Sequence, residues 1–117
     1  MNVSVIRGFL SRSPDERVLP SGDRMVSLEV SVRSANRPAE SVPVSWPNAP
    51  ANVSMLEPGT EVLVFGRVRR RFFRAGGFTQ SRTEVVAESV VPVRHPKKVQ
   101  NVLAKAVQRL TEAEAEG

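Results

Sequence analysis

The sequence predicts an all-β fold: five short strands, a short helix between the third and the fourth, and an amphipathic helix after the fifth. Three observations carry this. Apolar and polar residues alternate in short runs along the first 93 residues. Turn residues, mostly Pro and Gly, separate those runs. From residue 97 onward the apolar residues recur at helical spacing instead.

The first strand spans Met1 to Leu10, where Val3 and Val5 alternate with Ser4 before Ile6-Arg7-Gly8-Phe9-Leu10. Ser11 to Arg17 breaks the pattern with Pro14 and polar residues, and Pro20-Ser21-Gly22-Asp23 is a turn. Arg24 to Arg33 is the clearest strand. Val26, Leu28, Val30 and Val32 share one face, and Ser27, Glu29, Ser31 and Arg33 the other. Ser34 to Ala39 is a polar loop holding Arg37. The third strand is Ser41 to Trp46, in which Val42, Val44 and Trp46 have the same parity. Strict alternation sends Trp46 to the core, whereas a bulge after Val44 turns it outward as a stacking platform. Both readings stay open on the sequence. Ala51 to Leu56, with Met55 and Leu56 apolar, reads as a turn or two of helix, and Glu57-Pro58-Gly59-Thr60 as a turn.

The fourth strand, Val62 to Arg74, organises the chain. Five of the eight residues from Arg67 to Arg74 are arginine and two are phenylalanine. Period-two alternation puts Arg67, Arg69, Arg71 and Phe73 on one face. Val62, Val64, Val68 and Phe72 fall on the other, with Arg70 and Arg74 at a frayed end. Arginines on an edge strand also prevent aggregation, but that needs one or two charges and no exposed ring. A cationic row beside a bare ring suits a ligand with phosphates and flat bases. Ala75-Gly76-Gly77 closes a hairpin whose loop carries Phe78. The fifth strand runs from Thr79 to Val93 and bends at Ala87-Glu88-Ser89, which interrupts the pairs Val85-Val86 and Val90-Val91. This order of strands and link is that of an OB-fold barrel. The division expected is 1-95 for the OB-fold nucleic-acid-binding domain and 96-117 for the C-terminal helix.

In that helix Val99, Val102, Leu103, Ala106, Val107 and Leu110 form one apolar face, with Lys98, Lys105 and Arg109 elsewhere. Pro96 suits a first helical turn. Glu112, Glu114 and Glu116 oppose the helix dipole, so the last turn is expected to fray. The apolar face is expected to dock on the barrel, with a protein partner's helix as the alternative.

Composition narrows the function classes. The net charge is +5 with a pI near 11.0, and only three of the 17 basic residues are lysine. Such a balance favours a polyanion. The 117 residues contain no cysteine and one histidine, His95, so thiolate metal sites are excluded and no cofactor is expected. The chain holds no apolar run long enough for a membrane span and no visible signal peptide, which makes a cytoplasmic protein the default. An enzyme is not expected. His95 sits between Arg94 and Pro96, no Gly-rich phosphate loop occurs, and Asp15, Glu16 and Asp23 read as surface charges in turns.

Three separated stretches also carry a resemblance. Gly8-Phe9-Leu10-Ser11-Arg12-Ser13-Pro14-Asp15-Glu16, then Pro20-Ser21-Gly22, resembles the opening of bacterial single-stranded DNA-binding proteins (SSB). That family has Gly-x-Leu, an Asp-Pro-Glu-like loop, then Pro-x-Gly; here Ser13 takes the usual acidic place. Gly59 to Phe73 resembles the family's fourth strand, and Thr83-Glu84-Val85-Val86-Ala87 its Thr-Glu-Val-Val fifth strand. Together they cover roughly residues 2 to 92. The resemblance implies an OB-fold that binds single-stranded DNA without sequence preference, in replication, recombination or repair. It implies a homo-oligomer, dimer or tetramer, assembled partly through first strands, and a nucleoid-associated location. It places Phe73 at the fourth-strand stacking position and, with a gap, Trp46 at the third-strand one. The aromatic usual after the second strand is replaced by Ser34-Ala35-Asn36-Arg37. The family's Gly-rich linker and acidic tip are replaced by Glu114-Ala115-Glu116-Gly117, the pattern of a divergent or paralogous member.

The nucleic-acid-binding residues expected are therefore Arg33, Arg37, Trp46, Arg67, Arg69, Arg70, Arg71, Phe73, Arg74 and Phe78. An RNA-binding OB module and an OB-fold protein-interaction module are the alternatives.

Overall fold

The chain runs β1 (Ser4–Leu10), β2 (Asp15–Val18), β3 (Arg24–Val32), β4 (Glu40–Pro47), a 3₁₀ turn (Ala51–Met55), β5 (Glu61–Ala75), β6 (Phe78–Pro92) and α1 (Pro96–Thr111). The computed structural model describes residues 1–112, without the side chains of Ser54 and Met55; Glu114 and Glu116 lie outside the described residues.

Five of the strands close a ring. β1 pairs with β5, β5 with β6, β6 with β4, β4 with β3, and β3 returns to β1. Only the β4–β6 seam is parallel, and it joins just Val44 to Val85 and Ser45 to Val86. With the 3₁₀ turn between β4 and β5, this is the closed five-stranded ring of an OB-fold. The expected strands correspond to β1, β3, β4, β5 and β6.

One strand was not expected. β2 lies in the Pro14 loop and pairs antiparallel with β3, from Asp15 opposite Ser27 to Val18 opposite Arg24. All four of its residues are exposed, so it carries no buried-face alternation to read. Backbone pairing across the turn at Gly22 holds it, helped by the Arg24 guanidinium donating to Glu16.

The ring's interior is the alternating apolar set. Val26, Leu28 and Val30 meet Val44, Val62, Val64, Val85 and Val90, and Leu56 packs against them. Burying such a side chain is worth roughly 1.5–3 kcal/mol, so the β-branched alternation supplies most of the drive to close. Trp46 belongs to this set and is 7% exposed. The β3–β4 register runs unbroken from Met25 opposite Pro47 to Val32 opposite Glu40. No bulge intervenes to turn Trp46 outward.

The bend expected at Ala87-Glu88-Ser89 is a β-bulge. Phe65 pairs with Ser89 but the next residue, Gly66, pairs with Ala87, so Glu88 is the extra residue. It flips the parity of β6, which lets both Val85 and Val90 face inward. Here β5 presses against its neighbour: a Cβ on Gly66 would lie 2.0 Å from the Val86 carbonyl oxygen.

α1 docks on the outside of the same strands. Val102 and Ala106 are buried against Leu63 and Phe65, with Val99, Val91, Val93 and Val3 at the margins. Leu103, Val107 and Leu110 of its apolar face stay exposed.

Candidate nucleic-acid interface

β5 and β6 are the longest strands, 15 residues each, and they outrun the ring. β1 leaves β5 at Gly66, and β4 touches β6 only at Val85 and Val86. From Arg67 to Glu84 the hairpin is a free-standing two-stranded arm among the described residues. Asn2 ties its base. The side-chain amide donates to the Val68 carbonyl at 2.7 Å and accepts from the Val68 N–H at 3.0 Å, standing in for a neighbouring strand. The tip is a two-residue turn in which Gly76 and Gly77 have φ of 59° and 82°, the double positive φ of a type I′ hairpin.

The arm stays paired to that tip, with Ala75 opposite Phe78. Arg70 and Arg74 are therefore not at a frayed end. They lie in regular strand, on the face opposite Arg71. One face carries Arg67, Arg69, Arg71 and Phe73, opposite Val86, Glu84, Arg82 and Gln80, and the register adds Phe78 near the tip. The other face carries Val68, Arg70, Phe72 and Arg74, opposite Val85, Thr83, Ser81 and Thr79.

The arginines divide by partner. Arg69 donates to Glu84, whose side chain is 3% exposed, so its charge is taken up within the protein. It is not available to a ligand in the way its place in the row suggested. Arg67, Arg70, Arg71, Arg74 and Arg82 have no carboxylate partner among the described residues. Arg70 donates to the Ser81 hydroxyl at 3.0 Å and Arg74 to the Gly77 carbonyl at 3.1 Å. Arg71 lies 5.8 Å from the Phe73 ring centroid, and Arg70 lies 6.0 Å from that of Phe72. Phe72, Phe73 and Phe78 are 67%, 37% and 74% exposed. Water normally drives such rings inward, and here they are held out beside cations.

The face bearing Arg71 curls toward the outside of β3 and β4. Between them is a polar cavity of about 130 Å³ lined by Arg12, Arg17, Arg71, Arg82, Ser45 and Glu84, among others. Its floor continues over Ser27 opposite Ser45, Glu29 opposite Pro43, and Ser31 opposite Ser41, whose hydroxyl donates to the Glu29 carboxylate. At the far end of that floor the Arg33 guanidinium lies 5.7 Å from the ring centroid of Phe9. Arg12 and Arg17 reach Glu29 and Asp15 only at 3.5 Å and 4.0 Å, in exposed pairs of little strength. The result is a cleft that is basic at the arm, lined by serines, Pro43 and the Glu29 carboxylate in the middle, and aromatic with a cation at its end.

The structure thus brings Arg71, Phe73 and Phe78 to one face and leaves Arg37 on the exposed β3–β4 loop. Trp46, on the opposite parity to Ser45, is walled off from this cleft in the core. Arg12, Arg17, Arg82, Phe9 and Phe72 were not anticipated. Arg82 is legible once the turn is set at Gly76-Gly77, because counting back from it pairs residue 82 with Arg71. Arg12 and Arg17 depend on β2, which had no signal.

α1 covers the base of the same strand face over Leu63 and Phe65 and stops short of Arg67. Arg109 holds it there, donating to both carboxylate oxygens of Glu88 at 2.8 and 3.1 Å and lying 5.6 Å from the Phe65 centroid. The Arg109 hydrogen bond holds the Glu88 carboxyl below the usual glutamate range, with Lys105 and Arg67 adding to the effect. Among the described residues no group of three or more His, Cys, Asp or Glu is placed to hold a metal ion, and no helix is long and apolar enough to cross a membrane.

No family model matches the sequence, and no curated protein matches it. Among solved structures, the chain is similar to a deletion mutant of the single-stranded DNA binding protein from Thermus aquaticus. The TM-score is 0.65 and the identity 26%, over 79% of this chain. The match spans 40% of that protein's chain, less than half its length. This likeness establishes an OB fold of the kind that single-stranded DNA binding protein carries.

Proposed function

We propose that this chain binds single-stranded DNA without sequence preference, through the arm and the cleft beneath it. The observation that carries the reading is the set of un-neutralised arginines interleaved with exposed rings on a free-standing hairpin. Arg71, Arg82 and Arg67 meet phosphates, with Arg12 and Arg17 yielding their weak partners to the ligand. Phe73 and Phe78 stack on bases, each for roughly 1–3 kcal/mol. Arg70, Phe72 and Arg74 offer a second contact line on the arm's back. The likeness to the Thermus protein supports this ligand class.

With serines, Pro43 and Glu29 on the cleft floor and no ring there, one copy holds DNA weakly, and useful affinity comes from several copies on one strand. Protecting or organising unpaired DNA in replication, recombination or repair follows from such coating.

The test is titration of oligo-dT by fluorescence anisotropy across salt. About four phosphate contacts predict a log–log slope near −3. Phe73→Ala and Phe78→Ala each weaken binding by the stacking amount with the thermal unfolding midpoint unchanged. A flat salt response, or full affinity in the double variant, overturns the reading. Matched RNA oligomers separate it from an RNA-binding module, since only RNA offers a 2′-hydroxyl.

A further inference from the structure

The polar cavity under the arm is walled where the rest of the cleft is open. The arm supplies Arg71 and Arg82, the Pro14 loop and β2 supply Arg12 and Arg17, and Ser45 lies on the floor. Four guanidiniums thus face a space of about 130 Å³. Two carboxylates share the lining. Glu84 is taken by Arg69, which lies outside it, and Asp15 meets only Arg17, at 4.0 Å. Positive charge is left in clear excess.

Two further observations point to a ligand. Arg71 and Arg82 stand directly opposite each other in the β5–β6 register. Like charges so placed destabilise a sheet, and an anion between them removes the repulsion. Ser45 is 8% exposed and lines the cavity, and its hydroxyl has no hydrogen-bond partner among the described residues. A buried hydroxyl normally has one.

Size and charge select the group. Sites that enclose a whole small-molecule ligand measure about 300–1,000 Å³. This cavity has room for roughly four waters, or for one phosphate, but not for a nucleotide with its base. A phosphodiester within a strand carries a single charge, and its chain must both enter and leave through the mouth. A terminal phosphate enters end-on and carries about −1.5 to −2 at pH 7, which suits converging arginines better.

We propose that this cavity seats the terminal phosphate of a single strand, so that the protein prefers phosphorylated strand ends. The inference rests on the proposed single-stranded DNA reading and adds an end preference to it. Arg71 and Arg82 grip the phosphate from the arm, Arg12 and Arg17 close over it from β2 and its loop, and the Ser45 hydroxyl donates from below. The bases run outward past Phe73 and Phe78.

The experiment uses oligo-dT of about 6 nucleotides, within the range one OB fold covers, with a dye on an internal base. It carries a 5′-phosphate, a 3′-phosphate, or hydroxyls at both ends. A hydroxyl-ended oligomer two nucleotides longer matches the added charge. At least one phosphorylated oligomer is expected to bind about tenfold more tightly than this match, the worth of one good charge-assisted contact. Arg17→Gln with Arg82→Gln, both exposed, abolishes that preference, and Arg17→Gln alone reduces it. If both phosphorylated oligomers bind like the charge match, the seat is overturned while the arm reading stands. A preference that survives in the double variant puts the end phosphate elsewhere and also overturns the seat. Inorganic phosphate that raises the unfolding midpoint above chloride at equal ionic strength, with no preference among the oligomers, overturns the strand-end assignment in favour of a small free phosphate. Absence of binding by every oligomer at low salt overturns both readings.

Discussion

Arg69 and Arg71 stand two residues apart on the same face of β5, yet their surroundings assign them opposite uses. Arg69 neutralises Glu84, which is almost wholly buried. Removing it leaves a carboxylate without compensation, so Arg69→Ala is expected to cost about 2–3 kcal/mol, the lower end for a broken buried pair because the arginine itself is partly exposed. Thermal or urea unfolding reads this. Arg71→Ala leaves stability within about 0.5 kcal/mol and reduces the magnitude of the salt slope for oligo-dT by about 0.7. The opposite pattern, with Arg71 structural and Arg69 salt-sensitive, would refute the division. The sequence displays five arginines within eight residues but not which one meets a carboxylate. That depends on a register set by Gly76-Gly77 and read across fifteen residues. Trp46 was undecided for a similar reason: its side follows from parity, and parity holds only where the pairing is unbroken.

At the scale of elements, the hairpin and the helix share one sheet face and divide it. Leu63 and Phe65 are covered; Arg67, Arg71 and Phe73 are exposed. The helix was legible from its 3.6-residue period, and the bend in β6 from two Val pairs interrupted by polar residues. The split in α1's apolar face was not, because it depends on how far the outer sheet surface extends. The Glu88–Arg109 pair sets how docking responds to acid. Its carboxyl titrates below the ordinary glutamate value in the folded protein. The stabilisation is therefore fully present above about pH 4.3 and is lost as pH falls through the lowered folded value. Glu61, held down by its hydrogen bond from Arg7, behaves alike. Thermal melts from pH 7 downward are expected to fall steeply below about pH 4.3, and less steeply in Glu88→Gln. Equal acid slopes in the two proteins would show that the pair does not hold the helix.

For the molecule as a whole, ring and arm are separable. Replacing residues 70–83 with a two-residue type I′ turn keeps the Arg69–Glu84 pair and every ring seam. Such a protein is expected to fold with its near-UV spectrum intact, since Trp46 lies in the ring's core, and to lose oligo-dT binding by more than a hundredfold at the loss of four arginines and three rings. Retained binding would move the site off the arm. The order of strands around the link was readable because interior alternation specifies each of them. β2 escaped because its exposed residues are held only by backbone pairing.

The two shortest seams join parts of the chain far apart in sequence: Phe9 and Leu10 to Ser31 and Val30, and Val44 and Ser45 to Val85 and Val86. Two residue pairs give few cooperative hydrogen bonds, and a parallel junction cannot zip from a tight turn. The circle therefore breaks first at its thinnest weld. Amide protons of Val44, Ser45, Val85 and Val86 exchange with deuterium ahead of those in the long β3–β4 ladder, through partial opening rather than global unfolding.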